Sequence, residues 1–230
     1  MASTSLFNID FFNTEGYWIM PNFFGLEDCE IMIETLKEFR ITHPTSKSLI
    51  PNNYFSKLIC DRRILDIAQS ILGEHFVFHH ANGRELFPTD THKVWHHDFD
   101  GDDILENNKP NMVHFMIYPN GLKLGTGALT ILPKSHLLKV SRSHPNQFGI
   151  DDLSGQLVIE GEKGLLIVLN SAIWHNRTKN LSQSNRYYFN LSYCQIGTGR
   201  PEREKYREIL FNTSQEVHNN HKHLFQYETI

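Results

Sequence analysis

The stretch HKVWHHDFDGDD, residues 92–103, holds three histidines and four aspartates in twelve positions. Such a cluster can bind a metal, move protons or sit in water, and the residue types alone leave the three open. Geometry narrows them. In an extended chain residues i and i+2 face the same side, so His96, Asp98 and Asp100 share one face of VWHHDFD while His97 and Phe99 share the other. His96 and Asp98 are therefore placed to grip one ion. A calcium loop fits poorly, because the glycine of DFDGDD stands fourth instead of sixth and no second long helix follows. A solvated acidic loop remains a sufficient reading for Asp102 and Asp103.

Two imidazoles and one carboxylate that leave coordination positions open suit a non-haem Fe(II) centre. A second histidine must come from downstream, where His114, His136, His144 and His175 are the candidates. His136 follows the turn LPKS and His144 lies in a polar, proline-containing loop. His175 lies on a strand, AIWHNR, and Arg186 follows it at the start of RYYFNLSY. A hairpin centred near Asn180–Leu181 would put positions 175 and 186 opposite each other, with Cβ atoms ~5 Å apart. Arg186 would then stand beside the metal ligand, ready for a bidentate grip on a carboxylate.

The elements that must position these groups follow from periodicity. YWIMPNFF (17–24) reads as a short strand and turn. Residues 26–39 put Leu26, Cys29, Ile33 and Leu36 on one helical stripe, and RRILDIAQSIL reads as a second helix capped by Gly73. From residue 75, short apolar or alternating runs follow one another: HFVFHHANGRELF, KVWHHDF, NMVHFMIYP, GALTILP, QLVIEG, GLLIVLN, AIWHNR and RYYFNLSYCQ. Many short strands broken by turn residues argue a jelly roll. PEREKYREILF, after residue 200, returns to a helical pattern. The expectation is one mainly β domain, residues 1–230, with flanking α-helices in a double-stranded β-helix.

Composition bounds the function. A net charge of −4 with scattered basic residues argues against nucleic-acid binding. The apolar runs are too short to span a membrane. Three widely spaced cysteines and a start without secretory character point to a reducing, cytoplasmic setting.

The order and spacing of three motifs, WHHD (95–98), GTGALTILPKSH (125–136) and WHNRTKNLSQSNR (174–186), resemble the phytanoyl-CoA dioxygenase family of Fe(II)/2-oxoglutarate-dependent oxygenases. The opening FNTEGYWIMPNFFGLEDCEIMIETL is similar to that family's N-terminal region. The resemblance implies a jelly roll that holds Fe(II) by His96, Asp98 and His175. It implies Arg186 on the distal carboxylate of 2-oxoglutarate, with His114 as a further cosubstrate contact. Asn180 and Ser182 match polar positions of the family's hairpin. O₂ is then the oxidant, and hydroxylation of a C–H bond in a small polar molecule is the expected reaction, with Asp98 arguing against halogenation. Desaturation, cyclisation or another rearrangement would use the same centre, and a non-catalytic metal- or ligand-binding protein is the alternative from another class.

Two departures stand out. Relatives commonly carry a small Gly-Ser pair after the distal histidine, where this chain has Asn176-Arg177, and PGSH where it has Pro133-Lys134-Ser135-His136. For the substrate, His80, Asn82 and Arg84 fall on one strand face with Phe76 and Phe78. Arg177 shares a strand face with His175. Together these four polar residues are expected to line a pocket for a small molecule bearing a carboxylate, phosphate or comparable polar group. The loops 100–110 and 137–157 are candidate lids, and His218, His221 and His223 read as surface residues.

Overall fold

The structure, a computed structural model, describes residues 7–46, 48–88, 90, 93–98, 110–138, 152–197 and 219–225. The helical pattern expected at 201–211, the residues Asp100, Asp102, Asp103, His144 and His218, and most of the two expected lid loops lie outside these.

All eight apolar runs after residue 75 are strands. Helix α1 (Ile9–Glu15) leads into β1 (Tyr17–Met20), and α2 (Leu26–Thr42), α3 (Asn53–Leu58) and α4 (Arg62–Leu72) follow. Then come β2 (Phe76–Leu86), β3 (Lys93–His96), β4 (Met112–Tyr118), β5 (Leu129–Ile131), β6 (Leu157–Val158), β7 (Leu165–Asn170), β8 (His175–Arg177) and β9 (Arg186–Gln195). They form a five-stranded sheet, β1-β7-β4-β9-β2, and a four-stranded sheet, β3-β8-β5-β6. Every pairing is antiparallel. This is the double-stranded β-helix the strand spacing leads one to expect.

Strand alternation divides the core in two. Val113, Phe115 and Ile117 of β4, Leu166 and Val168 of β7, and Phe189, Leu191 and Tyr193 of β9 pack with the helices. Tyr118, Leu165, Ile167 and Leu169 point the other way and meet Leu129 and Ile131 of the second sheet. Burial of one such side chain contributes about 1.5–3 kcal/mol, which fixes the strand faces and hence the direction of every polar residue between them. Helix α4 covers β2, β4 and β9 with Ile64, Leu65, Ile67, Ala68, Ile71 and Leu72. Gly73 caps it, as its sequence implies.

Helix α2 corrects the expected stripe. Cys29, Met32, Leu36 and Phe39 are its buried residues, while Leu26 is exposed and Ile33 only half-buried. The core-facing stripe is therefore rotated toward Met32 and Phe39. Helices α1 and α3 carry no long periodic pattern. Asn8 and Asn52 start them by accepting backbone N–H bonds with their side chains. Gly16 ends α1 in a left-handed conformation (φ 87°) against His136, whose Nδ1 would stand 2.5 Å from any Cβ there.

A second correction concerns β2. The ladder with β9 slips between Phe78 and His80, a bulge at His79. Phe78 pairs with Tyr193 and joins the helix-side core, whereas His80 pairs with Ser192. The extra residue reverses the alternation. Phe76 and Phe78 thus do not share a face with His80, Asn82 and Arg84, which turn toward the space between the sheets.

Candidate metal centre

His96 and His175 are cross-strand partners on β3 and β8. Opposed residues point to the same face, and their rings stand 4.1 Å apart. Asp98 lies just past β3, with its backbone N–H donating to the Ser171 carbonyl at 2.8 Å. Its carboxylate reaches back to both rings, Oδ1 at 3.9 Å from His96 Nε2 and Oδ2 at 3.6 Å from His175 Nε2. One ligand atom from each of the three lies within 4.8 Å of the others.

The outer ring nitrogens fix the tautomers. His96 Nδ1 faces the Val94 carbonyl at 2.9 Å and His175 Nδ1 faces the Ile173 carbonyl at 3.1 Å. A carbonyl only accepts, so each Nδ1 carries the hydrogen and each Nε2 turns its lone pair inward. Two lone pairs and a carboxylate converging on one point repel unless a cation stands among them. The donor set of two neutral imidazoles and one carboxylate suits Fe(II). His97 takes no part in this cluster; its ring packs edge-on against Trp174 at 5.1 Å.

His114 comes from β4, in the opposite sheet, and is buried. Its Nε2 lies 3.5 Å from Asp98 Oδ2, and its Nδ1 lies 2.7 Å from the Ser192 hydroxyl. Ser192 Oγ and Asn190 Nδ2 in turn lie 3.1 and 3.2 Å from His80 Nε2, and His80 Nδ1 lies 2.6 Å from His79 Nδ1. A polar chain therefore runs from the carboxylate to the bulge of β2. Ser192 and Asn190 were not legible as site residues, although the alternation Arg186, Tyr188, Asn190, Ser192 along β9 carried the signal.

Arg186 starts β9 and is 2% exposed. Its guanidinium lies beside the neighbouring rings of Tyr118 and Tyr188, 5.2 Å from each ring centre. Burial pushes the Tyr118 phenol up to about 12, so it stays neutral beside the cation. Gly127, at φ 76°, leaves room: a Cβ there would lie 3.3 Å from Arg186 Nε. Among the described residues, Arg186 Nε and Nη1 have no hydrogen-bond partner. A buried guanidinium left so is costly, and a carboxylate is the ligand that its fork matches.

The expected β8–β9 hairpin does not form. Strand β8 pairs with β3 and β5, β9 pairs with β2 and β4, and Arg186 stands opposite Leu86. After Arg177 the chain stays beside residues 126–128, through Thr178 N–H to the Ala128 carbonyl and the Thr126–Asn180 bridge. It then crosses to the other sheet. Asn180 steers the crossing, donating to the carbonyls of Leu86 and Ser184 and accepting from Ser182. Asn180 and Ser182 are thus occupied in shaping the turn. Arg186 consequently lies on the five-stranded sheet and not opposite His175 in a hairpin.

The four expected substrate residues do not form one wall. His80 belongs to the metal level through Ser192 and His114, and Asn82 lies two residues farther along. Arg84 and Arg177 instead line a separate cavity with Arg40. Arg177 is partly buried, and burial pushes its guanidinium down, with Tyr188 and Asp90 opposing and Arg186 and Arg84 adding to the effect.

A family model described as phytanoyl-CoA dioxygenase matches residues 12–187. The ectoine dioxygenase of Stutzerimonas stutzeri (strain A1501) is 21% identical over 220 residues, spanning 77% of this chain and 72% of that protein. HygX from Streptomyces hygroscopicus, solved with nickel and 2-oxoglutarate bound, superposes with a TM-score of 0.70 at 14% identity, covering 83% of this chain and 88% of its own. EctD from S. alaskensis, with 2-oxoglutarate and 5-hydroxyectoine, gives 0.68 at 15% identity, covering 81% and 74%. At these identities the two structures speak for the fold.

Proposed function

The chain belongs to the phytanoyl-CoA dioxygenase family, and from that premise we propose that this Fe(II)/2-oxoglutarate-dependent dioxygenase hydroxylates a C–H bond of a small polar molecule. The whole of residues 1–230 is taken as one catalytic domain. His96, Asp98 and His175 hold the iron, and Arg186 takes the distal carboxylate of 2-oxoglutarate. Bound there, the iron and cosubstrate supply O₂ activation coupled to oxidative decarboxylation of 2-oxoglutarate to succinate and CO₂.

The chain's own residues hold, orient and exclude water. The Val94 and Ile173 carbonyls keep both imidazoles in the tautomer that presents Nε2. Tyr118, Tyr188 and Gly127 shape a slot around the Arg186 guanidinium. His114, held by Ser192, reaches from the other sheet to 3.5 Å from Asp98 and would contact the cosubstrate beside it. His80 and Asn82 give the substrate side of the cavity its polar character. Asp98 fills the ligand position that a halide would need, which favours hydroxylation.

The buried Arg186, whose Nε and Nη1 have no hydrogen-bond partner among the described residues, together with the His-Asp-His cluster, carries this reading. A protein that only stored a metal ion would need no such clamp. Polar small molecules are also what two relatives hold: HygX has been solved with hygromycin B and EctD with 5-hydroxyectoine. Among the described residues no helix is long and apolar enough to cross a membrane, and the three cysteines are free thiols; we place the protein in the cytoplasm.

The test is anaerobic addition of Fe(II), then 2-oxoglutarate, to the metal-free protein. A visible charge-transfer band that needs both is the expected result. Its absence would favour a binding protein. Succinate release above the uncoupled background, across a panel of small polar molecules, then identifies the substrate.

A further inference from the structure

Beyond the iron centre, a cavity of about 440 Å³ opens where β2, β8 and α2 meet. Arg40, Arg84 and Arg177 line it together with Glu85, Leu86 and Asp90. No residue of the metal cluster borders it, nor do His114 and Arg186. Arg84 stands four residues along β2 from His80, roughly 13 Å at 3.3 Å per residue, while Arg177 stands two residues along β8 from His175, so the cavity adjoins the triad's strand without including one of its residues.

Three guanidinium groups line one concave surface with two carboxylates, one positive charge in excess. Glu85 Oε1 accepts from the Tyr187 hydroxyl and the Asn185 amide, both at 2.7 Å. Asp90 Oδ2 accepts from the Phe87 backbone N–H at 3.1 Å. Arg40 donates to the carbonyls of Ser46 and Gly83, which pins its charge beside Arg84. Arg84 itself forms no ion pair and no side-chain hydrogen bond among the described residues. Burial first, and then the charge of Arg84, pushes the Arg40 guanidinium down. Like charges gathered in a partly desolvated hollow are unfavourable until an anion enters.

We propose that this cavity is an anion site, separate from the 2-oxoglutarate clamp, which takes the carboxylate or phosphate group of a small molecule. Arg84 supplies the exposed donor fork, Arg177 the inner one and Arg40 a fixed positive charge. The proposal stands whether or not the iron chemistry is as described above. The volume admits a compact organic anion, and planar guanidinium forks suit a two-oxygen face of either group.

Isothermal titration of glycerol 1-phosphate, and separately of glycerate, into the Fe(II)- and 2-oxoglutarate-loaded protein tests this under argon at fixed ionic strength. Saturating 2-oxoglutarate keeps Arg186 occupied. One-site binding is expected for at least one of the two, weakened at least about tenfold by Arg84→Gln, the loss of roughly one charge-assisted contact. Arg84→Lys should restore part of it. Arg84 anchors no backbone group, so Arg84→Gln should melt as the wild type does when no anion is added. No saturable heat with either compound, or equal affinity in wild type and Arg84→Gln, would overturn the site. Stimulated succinate release by the bound compound would make the anionic group part of the substrate; binding without stimulation would make it a separate ligand, and both support the site.

Discussion

His96 and His175 oppose each other across the β3–β8 ladder with ring centres 4.1 Å apart, while His97, the next residue, turns its ring onto Trp174. Neighbouring histidines therefore have unrelated duties. His96→Ala, Asp98→Ala and His175→Ala are each expected to abolish Fe(II) binding in an anaerobic titration, and His97→Ala to preserve it. Loss of iron in His97→Ala with retention in His96→Ala would contradict the observed register.

Arg186 should govern the cosubstrate and leave the metal alone. Removing one side of a buried, charge-assisted pair costs about 2–5 kcal/mol, so Arg186→Ala should raise the 2-oxoglutarate requirement at least ~30-fold. Fe(II) affinity should change little. Gly127→Val, crowding Arg186 Nε at a left-handed backbone position, should move the same parameter in the same direction. An unchanged 2-oxoglutarate requirement in folded Arg186→Ala would remove the assignment.

Lys134 occupies the position that is commonly glycine in the motif PGSH, and its φ is 66°. A side chain in the left-handed region costs ~1–2 kcal/mol. Against that, its ammonium pairs with Glu15 at 3.2 Å but is 60% exposed, worth about 0–1 kcal/mol. The backbone term wins. Lys134→Gly is expected to raise stability slightly, by up to ~1 kcal/mol, in urea denaturation. A clear loss would mean that the ion pair is stronger than its exposure implies.

His136 links the LPKSH turn to α1 through Nε2, 3.0 Å from the Asn13 carbonyl. Burial pushes its imidazole down, opposed by that carbonyl and by Glu15. The folded chain then binds fewer protons here than the unfolded chain, whose histidine titrates near ~6.5. The stability this ring contributes is present above that pH and lost as pH falls from there through the folded value. The urea midpoint of the wild type should fall more between about pH 7.5 and 5.5 than that of His136→Gln. Equal falls would show that His136 is not a source of the acid sensitivity.

Strand positions were legible because each run is short, apolar or alternating, and bounded by turn residues. The clustering of His96, Asp98 and His175 was legible because i, i+2 geometry is local and the two histidines lie on β3 and β8. Pairing was not. Whether β8 returns beside itself or crosses to the other sheet depends on Asn180 holding Leu86 and Ser184, a long-range contact with no local signature. The bulge at His79 escaped for a related reason: one surplus residue in FVFHHANGREL reverses every side chain after it, and nothing in the composition marks it. The packing of Arg186 against the Tyr118–Tyr188 pair needs three strand positions in register at once.

The placement of the metal cluster on one sheet and of Arg186 on the other bears on when the enzyme becomes able to take up its cosubstrate. His96 and Asp98 are synthesised long before His175, and Arg186 follows later still. Strand β8 seats His175 only by pairing with β3 and β5, and β9 presents Arg186 only after pairing with β2 and β4. A nascent chain that stops short of β9 therefore carries all three residues of the metal cluster but not Arg186. Cosubstrate loading is then a step for the finished sandwich, and 2-oxoglutarate, held as proposed above, would be a strut between its two halves.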